Sequence, residues 1–457
     1  MSLRGAALAG FVFATAMTLS IRATPAQNAA APVTFTKDVL PVLQNNCQGC
    51  HRPGEIAPMS FLTYQDVRPW AKAIKEAVVS RKMPPWFADP NYGHFSNTKT
   101  LSEADIQTLV AWVDGGAVGG DPNDAPPPID FPKGWNIKPD MIIEMPQDVP
   151  LPATGTINYK DILVKANFTE DVWVTAAELR PGNDRAVHHM RAIVRPPGSV
   201  WMKNATPGVA YDQGDPELGP VGEGTDLLGK FNPGLGAQDF SEYDSAKFVP
   251  KGSDIVFNMH YTATGKPETD RSRLALVFLK KGQPAPKYRY YVNEGPNAWN
   301  LAIPPGDPHA EVVGEFTAQA DTQLVYMQPH MHLRGLDYEV QLIYPGSTHA
   351  ETIMKTKWDF NWQMGLDLVK PIPIPKGTRI IGIAHFDNSA GNKWNPDPTK
   401  FIVWGFQNWD EMQNCFMGFL IDPNNPNPKA LFKASGPSLL QRGTSGPTVE
   451  ALISERK

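Results

Sequence analysis

The hydrophobic period changes once along this chain, near residue 135, and that change bounds the fold more tightly than any other feature. Before it, apolar residues recur at helical spacing. Val39, Leu40, Val42 and Leu43 form one set, Val67, Trp70, Ala71, Ile74 and Val78 a second, and Ile106, Leu109, Val110 and Val113 a third. After it, short segments have strand character: 141–145, 161–165 and 172–175 are rich in Ile, Val and Thr and are bounded by turn residues. The expected fold is therefore multidomain. A small all-α domain over 33–120 leads through a Pro-rich linker, 121–134, into two tandem all-β domains of the jelly-roll or β-sandwich kind. These span 135–297 and 298–430, with a polar tail over 431–457. Thr36 and Ser102 are expected to cap the first and third helices, Thr63 precedes the second, and Gly115-Gly116 ends the third.

The N-terminus predicts export. Arg4 precedes an uncharged apolar run from Ala6 to Ile21, and Thr24-Pro25-Ala26 offers a small-residue cleavage site, so residues 1–26 are expected to be a signal peptide. No other segment could span a membrane, and a periplasmic or secreted location follows. A net charge of −5 over 457 residues speaks against nucleic acid and polybasic membrane contacts. With only Cys47, Cys50 and Cys415 there is no disulfide framework, so the domains must be held by their cores.

Two of those cysteines carry chemistry. Cys47-Gln48-Gly49-Cys50-His51 is the attachment pattern of a c-type haem, in which two thiols bond the porphyrin and the adjacent imidazole ligates the iron. A thioredoxin-like pair or half a zinc site needs no trailing His51. Met83, on the proline-stiffened Arg81-Lys82-Met83-Pro84-Pro85-Trp86 loop, is the expected sixth ligand; Met59 competes for that position, and an open position is the third option. The module resembles small cytochromes c, which move single electrons.

The β half carries the remaining histidines. His188-His189 lies in a strand, where adjacent side chains face opposite ways, so the pair converges on one metal only at a bulge or a strand end. Residues 199–250 are Gly/Pro-rich and aperiodic and are expected to be a long loop. Pro250-Lys251-Gly252-Ser253 then leads into a strand with His260. The second half repeats the layout. His330-Met331-His332 follows a strand, the two imidazoles pointing the same way, and Pro375-Lys376-Gly377-Thr378 leads into a strand with His385 at the spacing that separates Pro250 from His260. Met412 comes later, in Asp410-Glu411-Met412.

Taken in order, His188-His189, His260, His330-x-His332 and Met412 resemble the copper type II, ascorbate-dependent monooxygenases, the family of the peptidylglycine α-hydroxylating and dopamine β-monooxygenases. The resemblance covers roughly residues 135–430. It implies that His188, His189 and His260 hold an electron-transfer copper, and that His330, His332 and Met412 hold the copper at which dioxygen is activated. It implies hydroxylation of a C–H bond of a small molecule by O2, with two electrons delivered singly. The fused haem suggests itself as their source, itself reduced by an external donor. Three imidazoles serve copper in both oxidation states, and a thioether favours Cu(I).

The chain departs from the family. Where the peptide-hydroxylating enzyme carries a substrate-binding arginine, Gln328 stands, and where it has a tyrosine after the methionine, Phe416 stands. A C-terminal glycine peptide is therefore not the expected substrate. His385 is expected as a core residue or one that orients a copper ligand, with direct ligation the alternative. His94, His309 and His349 are expected at the surface, and Cys415 as a buried free thiol. Two other functions compete: a non-catalytic haem and copper electron carrier, and a zinc hydrolase, against which Met412 argues.

Overall fold

A computed structural model describes residues 32–219, 226–298 and 300–434. The expected signal peptide lies outside the described residues, as does the tail beyond Ala434. Most of the described chain is β-structure, with a few short helices confined to its first part.

The helices are α1 (Leu40–Asn46), α2 (Tyr64–Val67), α3 (Ala71–Val79) and α4 (Glu103–Asp114). Ser102 Oγ accepts from the Asp105 N–H at 3.1 Å, and Thr63 Oγ1 from the Asp66 N–H at 3.2 Å, so both cap as their side chains allow. Thr36 does not cap. It lies inside a wide helical turn, Phe35–Val39, that runs into α1. The residue before that turn is Thr34, whose N–H donates to the Asp38 carboxylate at 2.7 Å. Gly115 and Gly116 end α4, Gly116 with φ +92°, a conformation that only glycine adopts without strain. The helices close over Phe35, Leu43, Val67, Leu109 and Trp112; Trp112, absent from the expected apolar set, is the largest fully buried side chain.

The main strands of the first β-unit are β1 (Lys160–Val164), β2 (Val172–Arg180), β3 (Val187–Arg195), β4 (Asp226–Phe231), β5 (Ser245–Val249), β6 (Asp254–Tyr261) and β7 (Arg273–Phe278). After β8 (Tyr288–Glu294), the main strands of the second are β9 (Ala310–Ala318), β10 (Thr322–His330), β11 (Gly335–Ile343), β12 (Glu351–Lys357), β13 (Leu366–Ile374), β14 (Arg379–Phe386) and β15 (Asn414–Ile421), and shorter strands extend the edges of both units. The outer sheet of the first unit runs β1-β6-β3-β4 and that of the second β9-β14-β11-β12. The inner sheets run β7-β2-β5 and β15-β10-β13. Strand for strand the order is the same. Strand β8 lies parallel to β5 and antiparallel to β15, which fuses the two inner sheets into one. In each unit the apolar faces of two sheets meet, around Met190, Phe257 and Leu276 in the first and Val340, Ile380 and Phe419 in the second.

Two boundaries differ from expectation. The segment 199–250 is not one loop, since it contributes β4 and β5 to the sheets. Strand β4 is buried along most of its length, so no polar alternation announces it. Phe432–Ala434, placed in the tail, pairs with β9.

The helical unit is tied to the second β-unit by backbone. Residues 87–89 pair along β12, with Asp89 N–H donating to Lys355 O at 2.8 Å and Lys357 N–H to Phe87 O at 3.2 Å. Residues 94–96 pair along β13, through Val369 N–H to His94 O at 3.0 Å and Ser96 N–H to Asp367 O at 2.8 Å. Among the described residues, no helix is long and apolar enough to cross a membrane.

Candidate functional site

The first cluster is built by a bulge. His260 on β6 faces His189 on β3, but the next residue, Tyr261, faces Val187. His188 is therefore the extra residue of the ladder, and the kink turns its ring to the side of its neighbour. The Nδ1 atoms of His188 and His189 lie 3.1 Å apart, and those of His188 and His260 3.3 Å. Those of His189 and His260 lie 3.4 Å apart. Three lone pairs converging at this spacing fit one metal ion.

The outward nitrogens support that tautomer. His189 Nε2 is 3.0 Å from the Tyr159 hydroxyl. His260 Nε2 is 3.1 Å from the Asn408 amide, whose Oδ1 is buried without a partner. Turning the amide over lets Nε2–H donate to Oδ1 and satisfies both groups. Tyr159 stacks on His260 at 4.3 Å, and Phe360 on His188 at 5.1 Å.

The second cluster sits at the end of β10. His330 Nδ1 is 2.8 Å from Gln363 Oε1. His332 Nδ1–H donates to the Asp410 carbonyl at 3.3 Å, leaving an Nε2 that is buried with no partner. A buried lone pair without a donor is costly unless a ligand takes it. Both rings thus offer Nε2, where the first cluster offers Nδ1. Glu411 holds the intervening turn, accepting from the N–H of His332 at 2.8 Å and of Arg334 at 2.7 Å. Met412 is buried and stands in the chain two residues before Asn414, the ladder partner of His330. The sequence thus brings a thioether to the same end of the sheet as the two imidazoles. Two imidazoles with a thioether fit copper, and Cu(I) in particular.

The clusters face each other. The rings of His189 and His330 are 6.4 Å apart, edge to face. Burial holds the imidazoles neutral: it pushes His188 and His332 down to about 4, and it holds His189, His260 and His330 well below their usual value, with the neighbouring imidazoles adding to the effect. A neutral ring keeps the lone pair a metal needs.

Gln328 is not an open substrate anchor. It is buried, accepts from Lys230 Nζ and from Tyr326 OH at 3.1 Å, and donates to Gln363 O at 2.6 Å. His385 joins neither cluster and lies on the outer sheet of the second unit beside Asp337. His94 and His349 are exposed, and Cys415 is a buried free thiol.

In the helical unit, Cys47 and Cys50 are free and half-buried. The N–H groups of Cys50 and His51 both donate to Cys47 O, so thiols and imidazole share one turn. The His51 ring stacks on Phe61 at 4.1 Å, and burial pushes the Cys47 thiol up to about 12. Met83 is half-buried, its N–H donating to Ala77 O, and Met59 packs against the helical core. Two free thiols and an imidazole on one turn are a donor set that suits a covalently held haem.

Sequence reasoning missed the supporting residues: Tyr159, Phe360 with Gln363, and Asn408 come from three places in the chain, and no local pattern marks them.

No protein-family model matches the chain, and no curated protein does. Among solved structures, it is similar to PNGase F, a glycosylasparaginase from Flavobacterium meningosepticum, at 10% identity over 64% of this chain and 100% of that one, with a TM-score of 0.24. A secreted protein from Eubacterium rectale is similar at 8% identity over 58% of this chain and 69% of that one, with a TM-score of 0.17. A Paenibacillus xanthan lyase is similar at 12% identity, over 67% and 28%, with a TM-score of 0.16. At such scores none of them bears on function.

Proposed function

We propose that this chain is an exported, haem c- and copper-dependent monooxygenase that hydroxylates a C–H bond of a small molecule with O2. The overall balance is R–H + O2 + 2e⁻ + 2H⁺ → R–OH + H2O. The observation that carries the reading is the pair of unlike, facing imidazole sets: three Nδ1 atoms on one side, and on the other two rings whose Nδ1 atoms are engaged and whose Nε2 atoms are left for a ligand. Copper at these sites would supply one-electron redox and O2 chemistry, and haem at Cys47, Cys50 and His51, with Met83 as the expected sixth ligand, would supply single electrons.

The residues prepare the site. Tyr159 and Asn408 fix the protons of His189 and His260 on the outward nitrogens, and Gln363 and the Asp410 carbonyl do the same for His330 and His332. Each ring then meets its ligand without a change of tautomer. Phe360 covers His188 and limits water there. Gln363 follows Trp362 and touches His330, and residues 87–96 of the helical unit lie along the strands flanking that loop. This backbone seam supports electron delivery from the haem unit to the His330 side. Export supports the haem reading, because covalent attachment of this kind occurs outside the cytoplasm.

The test is metal and haem analysis of the full chain, followed by O2 uptake against a panel of small organic compounds. The expected result is covalent haem, two coppers per chain, and compound-dependent uptake that His330→Ala abolishes while the haem remains. Haem and copper that exchange electrons but never consume O2 with any compound would mark a carrier instead. A chain that retains zinc and no copper would overturn the reading altogether.

A further inference from the structure

The two β-units repeat their strand order, and they repeat one irregularity as well. In the first unit, His260 faces His189 while Tyr261 faces Val187, which leaves His188 as the extra residue. In the second, His385 on β14 faces Asp337 on β11 while Phe386 faces Gly335, which leaves Leu336 extra. The bulge is the same, on equivalent strands and at the equivalent rung. Asp337 takes the place of His189, and His385 that of His260. On the other neighbour, Met259 faces Lys160, so Tyr159 comes next to His260. Glu311 on β9 faces His385 at the matching place.

The metal-binding side chains are kept in altered form. His385 Nδ1 lies 2.7 Å from Asp337 Oδ1, and its Nε2 lies 3.8 Å from Glu311 Oε2. Leu336 cannot serve as His188 does. His309, just before β9, brings a second imidazole instead, its ring 4.3 Å from that of His385. Ligand atoms of His309, Asp337 and His385 all lie within 4.8 Å of one another. The His385 side chain is 21% exposed, while Asp337 and Glu311 are more open, so an ion could enter from solvent.

We propose that His309, Asp337 and His385 form a third metal site, for a divalent ion of the zinc type, at the position in the second unit that corresponds to the His188-His189-His260 cluster in the first. Two imidazole nitrogens and a carboxylate, leaving the remaining position to water, are borderline-to-hard donors with no thioether, a set that suits zinc. In the metal-free chain Asp337 and His385 are joined by a hydrogen bond of 2.7 Å, and an ion bound between them takes its place. The site does not depend on the haem and copper reading, since it shares no residue with either facing cluster.

Equilibrium dialysis of the full chain against Zn²⁺ tests this. His309→Ala and His385→Ala are each expected to bind one equivalent fewer than the unaltered chain. His309 is exposed and precedes its strand, so His309→Ala remains informative even where His385→Ala disturbs the sheet. Equal zinc binding by the unaltered chain and by His309→Ala would show a hydrogen-bonded surface pair and overturn the proposal.

Discussion

At the scale of single residues, the orientation of each imidazole is set by the atom behind it. Gln363 Oε1 at 2.8 Å from His330 Nδ1 keeps the ring's other nitrogen turned toward the site, and Gln363 Nε2 donates in turn to Phe360 O at 3.5 Å. Replacing Gln363 with leucine leaves a buried N–H unpaired and frees the ring to rotate. Loss of such an orienting partner weakens metal affinity by about 10- to 100-fold. Chelator competition should show that loss at one of the two copper equivalents in Gln363→Leu, with the other held as before; equal retention of both would show that the hydrogen bond does not matter. Lys230 is a second case. It is buried against Gln328 and over the Tyr326 ring at 4.2 Å, and burial pushes it down to about 7 from an ordinary value of 10.5. Between those two values the unfolded chain holds a proton that the folded chain lacks, so stability rises with pH across that window. Urea midpoints of the unaltered chain should climb between pH 7 and pH 10, and Lys230→Met should flatten that climb. A slope unchanged in the variant would show that Lys230 stays charged in its cage.

At the scale of elements, the strands are what bring distant residues to one place, and the sequence reveals this only in part. The Pro250–His260 and Pro375–His385 spacings mark equivalent strands, β6 and β14, because a turn and an alternating strand leave a local pattern. The bulge at His188 is implied by the adjacency of two histidines, but its twin at Leu336 carries no mark in the sequence: Leu336, Asp337 and His385 become related only when the ladder is drawn. Strand β4 escapes for the opposite reason. Asp226, Lys230 and the residues between them are all buried, so no period-two signal marks the strand, and it lacks the Pro-Lys-Gly-Ser turn that announces the equally buried β6. Gln328 shows the same limit at a single position. Its place before His330 suggests contact with substrate, whereas the fold turns it onto Lys230, 98 residues away. The seam of residues 87–96 along β12 and β13 is equally silent in sequence, and it has a kinetic consequence. Backbone pairing holds the helical unit, the proposed haem carrier, in fixed register against the strands around Trp362 and Gln363. Oxidation of the reduced haem by the copper-loaded chain is therefore expected to be intramolecular. Stopped-flow traces at the haem band should give one rate constant over a tenfold range of protein concentration. A rate that scales with concentration would place electron transfer between molecules and deny the seam that role.

At the scale of the whole molecule, five neutral imidazoles face one another where two β-units joined by a shared inner sheet come together. That arrangement makes acid the condition that opens it. His188 and His332 are held near 4, and His189, His260 and His330 well below their usual value, chiefly by burial. Each has a folded value below its unfolded one, so as pH falls the unfolded chain takes up protons first. The contribution of each ring is complete above about pH 6.5 and is lost progressively toward pH 4. For His188 and His332 a drop of about 2.5 pK units corresponds to roughly 3 kcal/mol each, a large share of the net stability of a typical domain, and the other three rings act in the same direction. Metal bound to the same lone pairs competes with those protons and shifts the loss to lower pH. The metal-free chain should therefore lose its urea midpoint steeply between pH 6.5 and pH 4.5, while the copper-loaded chain holds its midpoint further into acid. Near-UV circular dichroism of the aromatic residues packed on the clusters, Tyr159, Phe360 and Trp358, should follow the same two curves. A metal-free chain as stable at pH 4.5 as at pH 7 would show that water reaches these rings and that the two β-units stand apart in solution.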